Sequence, residues 1–386
     1  MNFQNWNVVL DKFKKCLNNW RGRNLSFYGK TEIINVAACS KLFYIGSFLS
    51  LPNTFYHDFE RHIFDFLWGS IRECVKRQTL YLSKYEGGFG LVKLDCKIKA
   101  LHLMHLKSLL YGPFAKWHTF AIYWTGLSLR KLRPDFASDS LLHSEKRPSF
   151  YCKLLESYRL IIEKYPDFEL KQATTKSVYN ILMSDLPRKP RIINVFPYID
   201  FKQCWEEINC NFLHPYVKDL SWRIAHYVIP IDLFLYTKKL TKSKTCHFCD
   251  EEEKVEHLFY QCSVVQPVIQ YVELLISAMA STPCKITAAT MVFNNYCKSP
   301  DKYINVMFMY LTNELKKCIW MLRNKAKFDR KVIRTDDITY LFLHEVSMRC
   351  KVDFVRLHID LFKQYWCKND VICNIDGNKS LIINIP

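Results

Sequence analysis

Apolar residues recur every three or four positions along most of this chain, the spacing that places them on one face of a helix. Trp6, Val9, Leu10, Phe13, Leu17 and Trp20 form the first such run, and Gly22 interrupts it, so an amphipathic helix is expected over the first 20 residues. A second helix is expected from about Leu25 to Leu49, closed by Pro52, and a third from about Phe55 to Trp68, closed by Gly69. Lys76 to Leu82 reads as extended, Gly87, Gly88 and Gly90 as a turn, and Leu91 to Leu110 as helix again, up to Gly112 and Pro113. Between Leu132 and Pro197 the prolines at 134, 148, 166, 187, 190 and 197 break the pattern, and a linker followed by loosely connected helices is expected there. The pattern resumes at Trp205 and gives three further amphipathic segments, roughly Val264–Met279, Tyr303–Phe328 and Ile338–Trp366. In the last of them Val352, Val355, Ile359, Phe362 and Trp366 alternate by three and four, which suits packing against a partner helix. The expected fold is mainly α. It divides into a helical domain at 1–112, a poorly defined helical linker region at 113–200, a helical region at 201–300 and C-terminal helices at 301–386.

Composition fits that picture. A chain of 386 residues with 49% apolar and 15% aromatic residues can bury a large core and is expected to form two or three domains. Its sixteen cysteines are scattered, with no charged-then-apolar leader, which points to reduced thiols inside the cell, in nucleus or cytoplasm. The longest apolar stretch, Val36 to Leu51, carries Lys41 and is too short for a bilayer, so no membrane partner is expected. The net charge of +18 is concentrated early: residues 1–134 hold 20 basic and 8 acidic side chains, a balance of +12. A basic surface interspersed with aromatics attracts polyphosphates through counterion release. A merely soluble basic protein would account for the charge equally well.

The plainest chemistry lies in the run CHFCDEEEKVEHLFYQC. Two residues lie between Cys246 and Cys249, seven between Cys249 and His257, and four between His257 and Cys262. Three thiolates and an imidazole suit a four-coordinate, tetrahedral Zn²⁺ site, and the two-residue gap lets one tight turn present both sulfurs to the same ion. A short helix, VEHLFYQC, can present the other two ligands. Such a closed shell leaves no position for an activated water, so the expected role is structural. His247 is a rival nitrogen, expected to point away from the metal. The acidic run Asp250 to Glu253 would repel phosphate from this side of the site.

Other signatures fall short. Gly29, Lys30 and Thr31 imitate the end of a phosphate-binding loop, but Asn24 stands where its first glycine is needed. The glycines at 87, 88 and 90 precede no clear helix start and read as a turn. Asp336 and Asp337 could in principle hold Mg²⁺, yet they lead straight into the helical run ITYLFLHEV, so Thr335 or Asp336 reads as its N-cap. No serine, histidine and acid arrangement can be recognised from spacing, so no catalytic residue is assigned.

Taken in order, Trp20, Arg23, Leu25, Gly29, Lys30, Ile33 and Ile34, then Lys41, Leu42 and Tyr44, then Phe66 to Gly69, then Gly87 to Leu91, resemble the thumb region of reverse transcriptases from non-LTR, LINE-type retrotransposons. Trp222, Arg223 and Pro230, followed by Cys246, Cys249, His257, Leu258, Phe259 and Cys262, resemble that family's C-terminal zinc-binding segment. Trp320, Arg323, Asn324 and Phe328 are similar to the tryptophan and arginine–asparagine pair that follows it. The resemblance implies a helical thumb-like bundle, then a helical region with a small zinc-binding element, and RNA or DNA as partner. It also implies an RNA-directed DNA polymerase as parent, whose paired catalytic aspartates belong to a palm ahead of the thumb. Those acids have no counterpart here, and neither does the endonuclease of such polyproteins, so binding without catalysis is expected. The candidate phosphate contacts are Arg21, Arg23, Lys30, Lys76, Arg77 and Lys84. Each serves equally well as a solvated surface charge. Trp20 and Trp68 could stack on bases, but their spacing favours the core. Two rival readings remain: a zinc-organised module that recruits a protein through the helices of 303–366, and an active enzyme with a third acid beside Asp336 and Asp337.

Overall fold

Caps and helix breakers set most of the element boundaries in the computed structural model, which describes residues 2–69, 73–132, 147–186, 189–377 and 380–385. Helix α1 (Asn2–Arg21) stops before Gly22. Helix α2 (Phe27–Glu32) starts where the Ser26 hydroxyl accepts the Gly29 N–H at 3.0 Å, and a π turn, Ile33–Ala38, carries it into α3 (Cys39–Gly46). Helix α4 (Asn53–Trp68) runs between Pro52 and Gly69, whose φ of +69° suits a residue without Cβ. Then come α5 (Arg77–Tyr81), α6 (Leu94–Tyr111), α7 (Lys116–Leu132), α8 (Ser149–Lys164) and α9 (Thr175–Met183). With their connections these form the first of two compact units, Met1–Ser83 with Gly88–Lys189.

In this first unit, aromatic rings of α1 meet those of α4. Phe13 and Phe59 stand edge to face at 5.0 Å, Trp6 and Phe59 at 6.2 Å, and the Trp6 indole donates to the Ser50 carbonyl at 3.1 Å. Fully burying one such side chain contributes roughly 1.5–3 kcal/mol. A further core joins α6, α7, α8 and α9 through Leu103, Leu106, Leu129, Tyr158, Ile161 and Val178. The expected linker at 113–200 therefore holds α8 and α9, packed on α6, and α7, packed on α8. Its prolines start helices as well as break them: Pro148 stands at the N-cap of α8. Pro134 and Pro187 lie outside the described residues. The segment expected to be extended is also helical in part. The Thr79 and Leu82 N–H groups close tight turns onto Lys76 and Thr79, and Leu80 is fully buried.

The second unit comprises Lys84–Gly87 and Pro190–Pro386. It contains α10 (Arg191–Val195), α11 (Phe201–Ile208), α12 (Pro215–Ala225), α13 (Asp232–Thr237), α14 (Gln266–Ala280), α15 (Ala288–Phe293), α16 (Lys302–Asp329), α17 (Thr335–Arg356) and α18 (Ile359–Trp366). Asp200 caps α11 by accepting the Lys202 and Gln203 N–H groups, and Pro215 occupies the first turn of α12. Helix α16 lies at the centre, buried along most of its length, against α12, α14, α17 and α18. Where only helices were expected, an antiparallel hairpin closes the chain: β1 (Cys373–Ile375) pairs with β2 (Leu381–Ile383), Cys373 opposite Ile383. The long last helix is broken at Leu357 and His358, which splits its apolar stripe. Phe362 and Trp366 are buried, Trp366 edge-on to Tyr310 at 5.7 Å, whereas Val355 is 84% exposed and Val352 and Ile359 are also exposed. The architecture is mainly α. No helix among the described residues is long and apolar enough to cross a membrane.

Candidate metal centre

Cys246 opens a tight loop. A bridge between Thr245 and Glu252 brings its two limbs together, the Cys246 N–H donates to the Glu251 carbonyl at 2.6 Å, and the Asp250 N–H returns to the Cys246 carbonyl at 3.1 Å. Asp250 takes a left-handed conformation, φ +62°, which lets the chain reverse directly after Cys249. The Phe248 N–H lies 3.4 Å from the Cys246 sulfur, an orientation that stabilises a thiolate. The other two side chains come from a π turn, His257–Gln261, closed by the Cys262 N–H on the His257 carbonyl at 2.8 Å. The expected short helix is thus a wide turn, which sets His257 and Cys262 on the side of the loop cysteines.

One ligand atom from each of Cys246, Cys249, His257 and Cys262 lies within 4.8 Å of all the others. The Cys249 sulfur is 3.2 Å from His257 Nε2 and 3.6 Å from the Cys262 sulfur. A tetrahedral ion with metal–sulfur bonds of about 2.3 Å and metal–nitrogen bonds of about 2.0 Å has edges of roughly 3.5–3.8 Å, so the donor set fits. Cys246, His257 and Cys262 are buried, and Cys249 is half-buried. The neighbouring Cys262 sulfur and burial push the Cys246 thiol up, and burial does the same to Cys249. Burial also lowers His257, which keeps the imidazole neutral as a ligand requires. On the far side of the ring, Nδ1 faces the Glu251 carboxylate at 3.3 Å, an outer partner that fixes ring orientation and ligand basicity. His247 turns away, its Nε2 2.6 Å from Asp232 Oδ2.

The acidic run does not present four free anions. Glu252 pairs with Lys244 at 2.8 Å and Lys254 at 3.0 Å, and Glu253 is fully buried. Arg323, on α16, donates from Nε and Nη2 to the two Glu253 oxygens at 2.8 and 2.7 Å, and from Nη2 to Asp232 Oδ1 at 3.1 Å. Lys327 completes the group on Asp232. Burial alone would raise the Asp232 carboxyl, but Lys327 and Arg323 outweigh it and hold it below the ordinary value. The metal-ligand loop is thereby bolted to the central helix. Sequence reading noted Arg323 only within the resemblance and missed this network. Its signal was a cation on the apolar stripe of α16, in line with Ile319, Trp320 and Ala326.

The six candidate phosphate contacts divide. Arg21, Arg23 and Lys76 are exposed, the Arg23 guanidinium lying 4.3 Å over the Trp20 ring. Lys30 donates to the Leu67 carbonyl at the end of α4 at 2.9 Å, and Arg77 forks onto Glu73 at 2.7 and 3.0 Å, so both are engaged within the first unit. Lys84, half-buried, belongs to the second unit, where its carbonyl receives the Asn209 amide at 2.8 Å. Trp68 is buried against Phe27, whereas Trp20 is only half-buried. Asp336 and Asp337 occupy the first turn of α17, one residue inside the expected cap: Arg334 is the N-cap, and its N–H donates to Asp337 Oδ2 at 2.8 Å.

Residues 174–268, which include all four convergent ligands, match the family described as zinc-binding in reverse transcriptase. Over that part of its length the chain is similar to the zinc-binding segment of reverse transcriptases. No curated protein matches the chain.

Proposed function

We propose that this chain is a nucleic-acid-binding part of a non-LTR, LINE-type retrotransposon reverse transcriptase. In this reading Cys246, Cys249, His257 and Cys262 hold a structural Zn²⁺, and the first unit is a thumb whose basic surface grips RNA or DNA in the nucleus or cytoplasm. The observation that carries the reading is the convergence of three sulfurs and one imidazole inside the stretch that matches a reverse-transcriptase zinc-binding family. When bound, the ion supplies a cross-link between the 246–251 loop and the 257–262 turn, and its closed shell leaves no site for activating water. The protein's own contribution is to orient His257 through Glu251 and to anchor the loop through Glu253 on Arg323. Binding without catalysis is supported by Asp336 and Asp337, which serve the start of α17.

The test combines metal analysis with binding and incorporation assays on the purified chain. One zinc per chain, retention of RNA and DNA at low salt, a linear fall of log K with log salt and no templated nucleotide incorporation are expected. Charge reversal at Arg21 and Arg23 should weaken binding and flatten the salt slope. Protein without zinc, or indifferent to polynucleotide at low ionic strength, would overturn the proposal, as would templated incorporation.

A further inference from the structure

Among the described residues between 37 and 159, every large apolar side chain that is exposed is aromatic. In the first unit four rings form an unbroken series across three elements. Tyr44 on α3 meets Phe48 at 5.7 Å, Phe48 meets His105 on α6 at 4.8 Å, and His105 meets Trp117 on α7 at 6.2 Å, with tilted or edge-to-face planes. Tyr44 is 72% exposed, Phe48 51% and Trp117 38%, with Phe120 at 66% one turn beyond Trp117. Rings left in water over this length are not explained by packing, since burying them would have been favourable.

The segments that carry them hold charge of one sign. From Cys96 to Leu132 the sequence holds six basic residues and no acidic one, and from Ile33 to Ser50 it holds Lys41 and no acidic one. Lys41 stands one helical turn before Tyr44, and Lys116 one turn before Phe120, so each ring run carries a cation on its own face. Burial lowers His105, which therefore contributes a neutral ring. An aliphatic face would suit another protein; the exposed Val352, Val355 and Ile359 of the second unit are of that kind. Rings with cations and without carboxylates suit nucleobases, each with a π-face, on an anionic backbone.

We propose that Tyr44, Phe48, His105 and Trp117 form a stacking platform for single-stranded RNA or DNA, unpaired bases lying against the rings while Lys41 and Lys116 meet phosphates. The inference rests on the nucleic-acid reading above and narrows it to unpaired strands at a named surface. The test is fluorescence anisotropy of the full chain with labelled single strands of deoxythymidine or uridine and with a duplex of equal length. The variant Tyr44→Ser/Phe48→Ser/Trp117→Ser should bind single strands at least about tenfold more weakly. Its salt slope and duplex affinity should stay unchanged, because stacking releases no counterions. A ring-preserving variant, Tyr44→Phe/Phe48→Tyr/Trp117→Phe, should bind as the parent does, which separates lost stacking from lost folding. Parental single-strand affinity in the serine variant, or equal weakening for duplex and single strand, would overturn the platform while leaving nucleic-acid binding intact. A change in sedimentation from oligomer to monomer would instead assign the rings to a contact between copies. No polynucleotide binding by the parent at low salt would overturn both readings.

Discussion

Two cations on the buried stripe of α16 show how much a single residue can hold. Arg323 is 1% exposed, and its carboxylate partners Asp232 and Glu253 are 1% and 0% exposed. Replacing Arg323 by Met leaves Glu253 without a cation and Asp232 with Lys327 and the His247 ring, and removing one partner of a buried pair costs about 3–5 kcal/mol. Arg323→Met should therefore lower the urea midpoint sharply, and adding Glu253→Met should recover part of the loss by removing the stranded charge. A cost below about 1 kcal/mol for the single change would show the network to be dispensable. Lys316 is a different case. It is fully buried, its Nζ donates to Asn294 Oδ1 at 2.5 Å and Asn313 Oδ1 at 3.2 Å, and no carboxylate among the described residues bonds it. Burial lowers it to about 7 from 10.5, the nearby Cys204 sulfur opposing the shift. The unfolded chain then holds this proton more tightly than the folded one between about pH 7 and 10.5, so stability rises with pH through that window and is flat, from this group, below it. The melting temperature of the parent should rise relative to that of Lys316→Met as pH climbs from 7 to 10. A gap that stays constant would place a permanently charged lysine in that core.

At the scale of elements, the turn after α5 is held by backbone geometry. The Gly87 carbonyl accepts the Trp222 indole N–H at 2.9 Å and His226 Nε2 at 2.8 Å, and burial keeps His226 neutral, down to about 4. At Gly87 φ is +87°, and a Cβ there would stand 2.7 Å from the Trp205 ring and 2.9 Å from Pro190. Gly90 also has a positive φ, +68°, but open space around it. Gly87→Ala should thus cost about 3 kcal/mol, strain plus overpacking, and Gly90→Ala only about 1–2 kcal/mol; denaturant midpoints of the two variants check the difference. Equal costs would mean that the Trp205 contact yields freely. The sequence marked this turn through its three glycines, but not its partners, which stand more than a hundred positions away. The same limit recurs along the chain. Helices of three turns or more, such as α1, α4 and α6, were legible because their apolar spacing repeats. Five residues of α5 offer no period, and their sequence reads as extended. The π turn between α2 and α3 was invisible too, although it aims Asn35 at the chain beyond Gly90: the amide donates to the Gly90 carbonyl and accepts the Val92 N–H, both at 2.9 Å. The four metal ligands were legible because they fall within 17 residues. Glu253 and Arg323, 70 apart, were not.

On the scale of the whole molecule, the question is how far the metal's influence reaches. Structural zinc contributes about 10–16 kcal/mol in isolated finger peptides, where nothing else orders the loop. Here the loop belongs to a unit with its own core: Val255, Leu258, Phe259 and Cys262 are buried, and Thr335 on α17 donates to the Val264 carbonyl at 3.0 Å. Metal loss should therefore loosen part of the second unit rather than unfold it. The path follows the contacts. Without a cross-link, the 246–251 loop loses the pull between its cysteines and the π turn, Glu251 loses its hold on a liganded imidazole, and Glu253 is freed to leave Arg323. Arg323 then holds only Asp232, which couples the start of α13 and the C-terminal part of α16 to the vacated site. Hydrogen exchange after treatment with a strong zinc chelator should rise first across residues 244–262, next in α13, and least in α16. Helix α4 serves as an internal reference, since it carries none of these groups and should exchange as before. Cys262→Ser should reproduce the pattern without chelator, and Arg323→Met should reproduce the α13 component while the metal is still bound. Protection of residues 244–262 that persists in chelator would show the loop to be held by packing alone, and would remove the structural ion from the account.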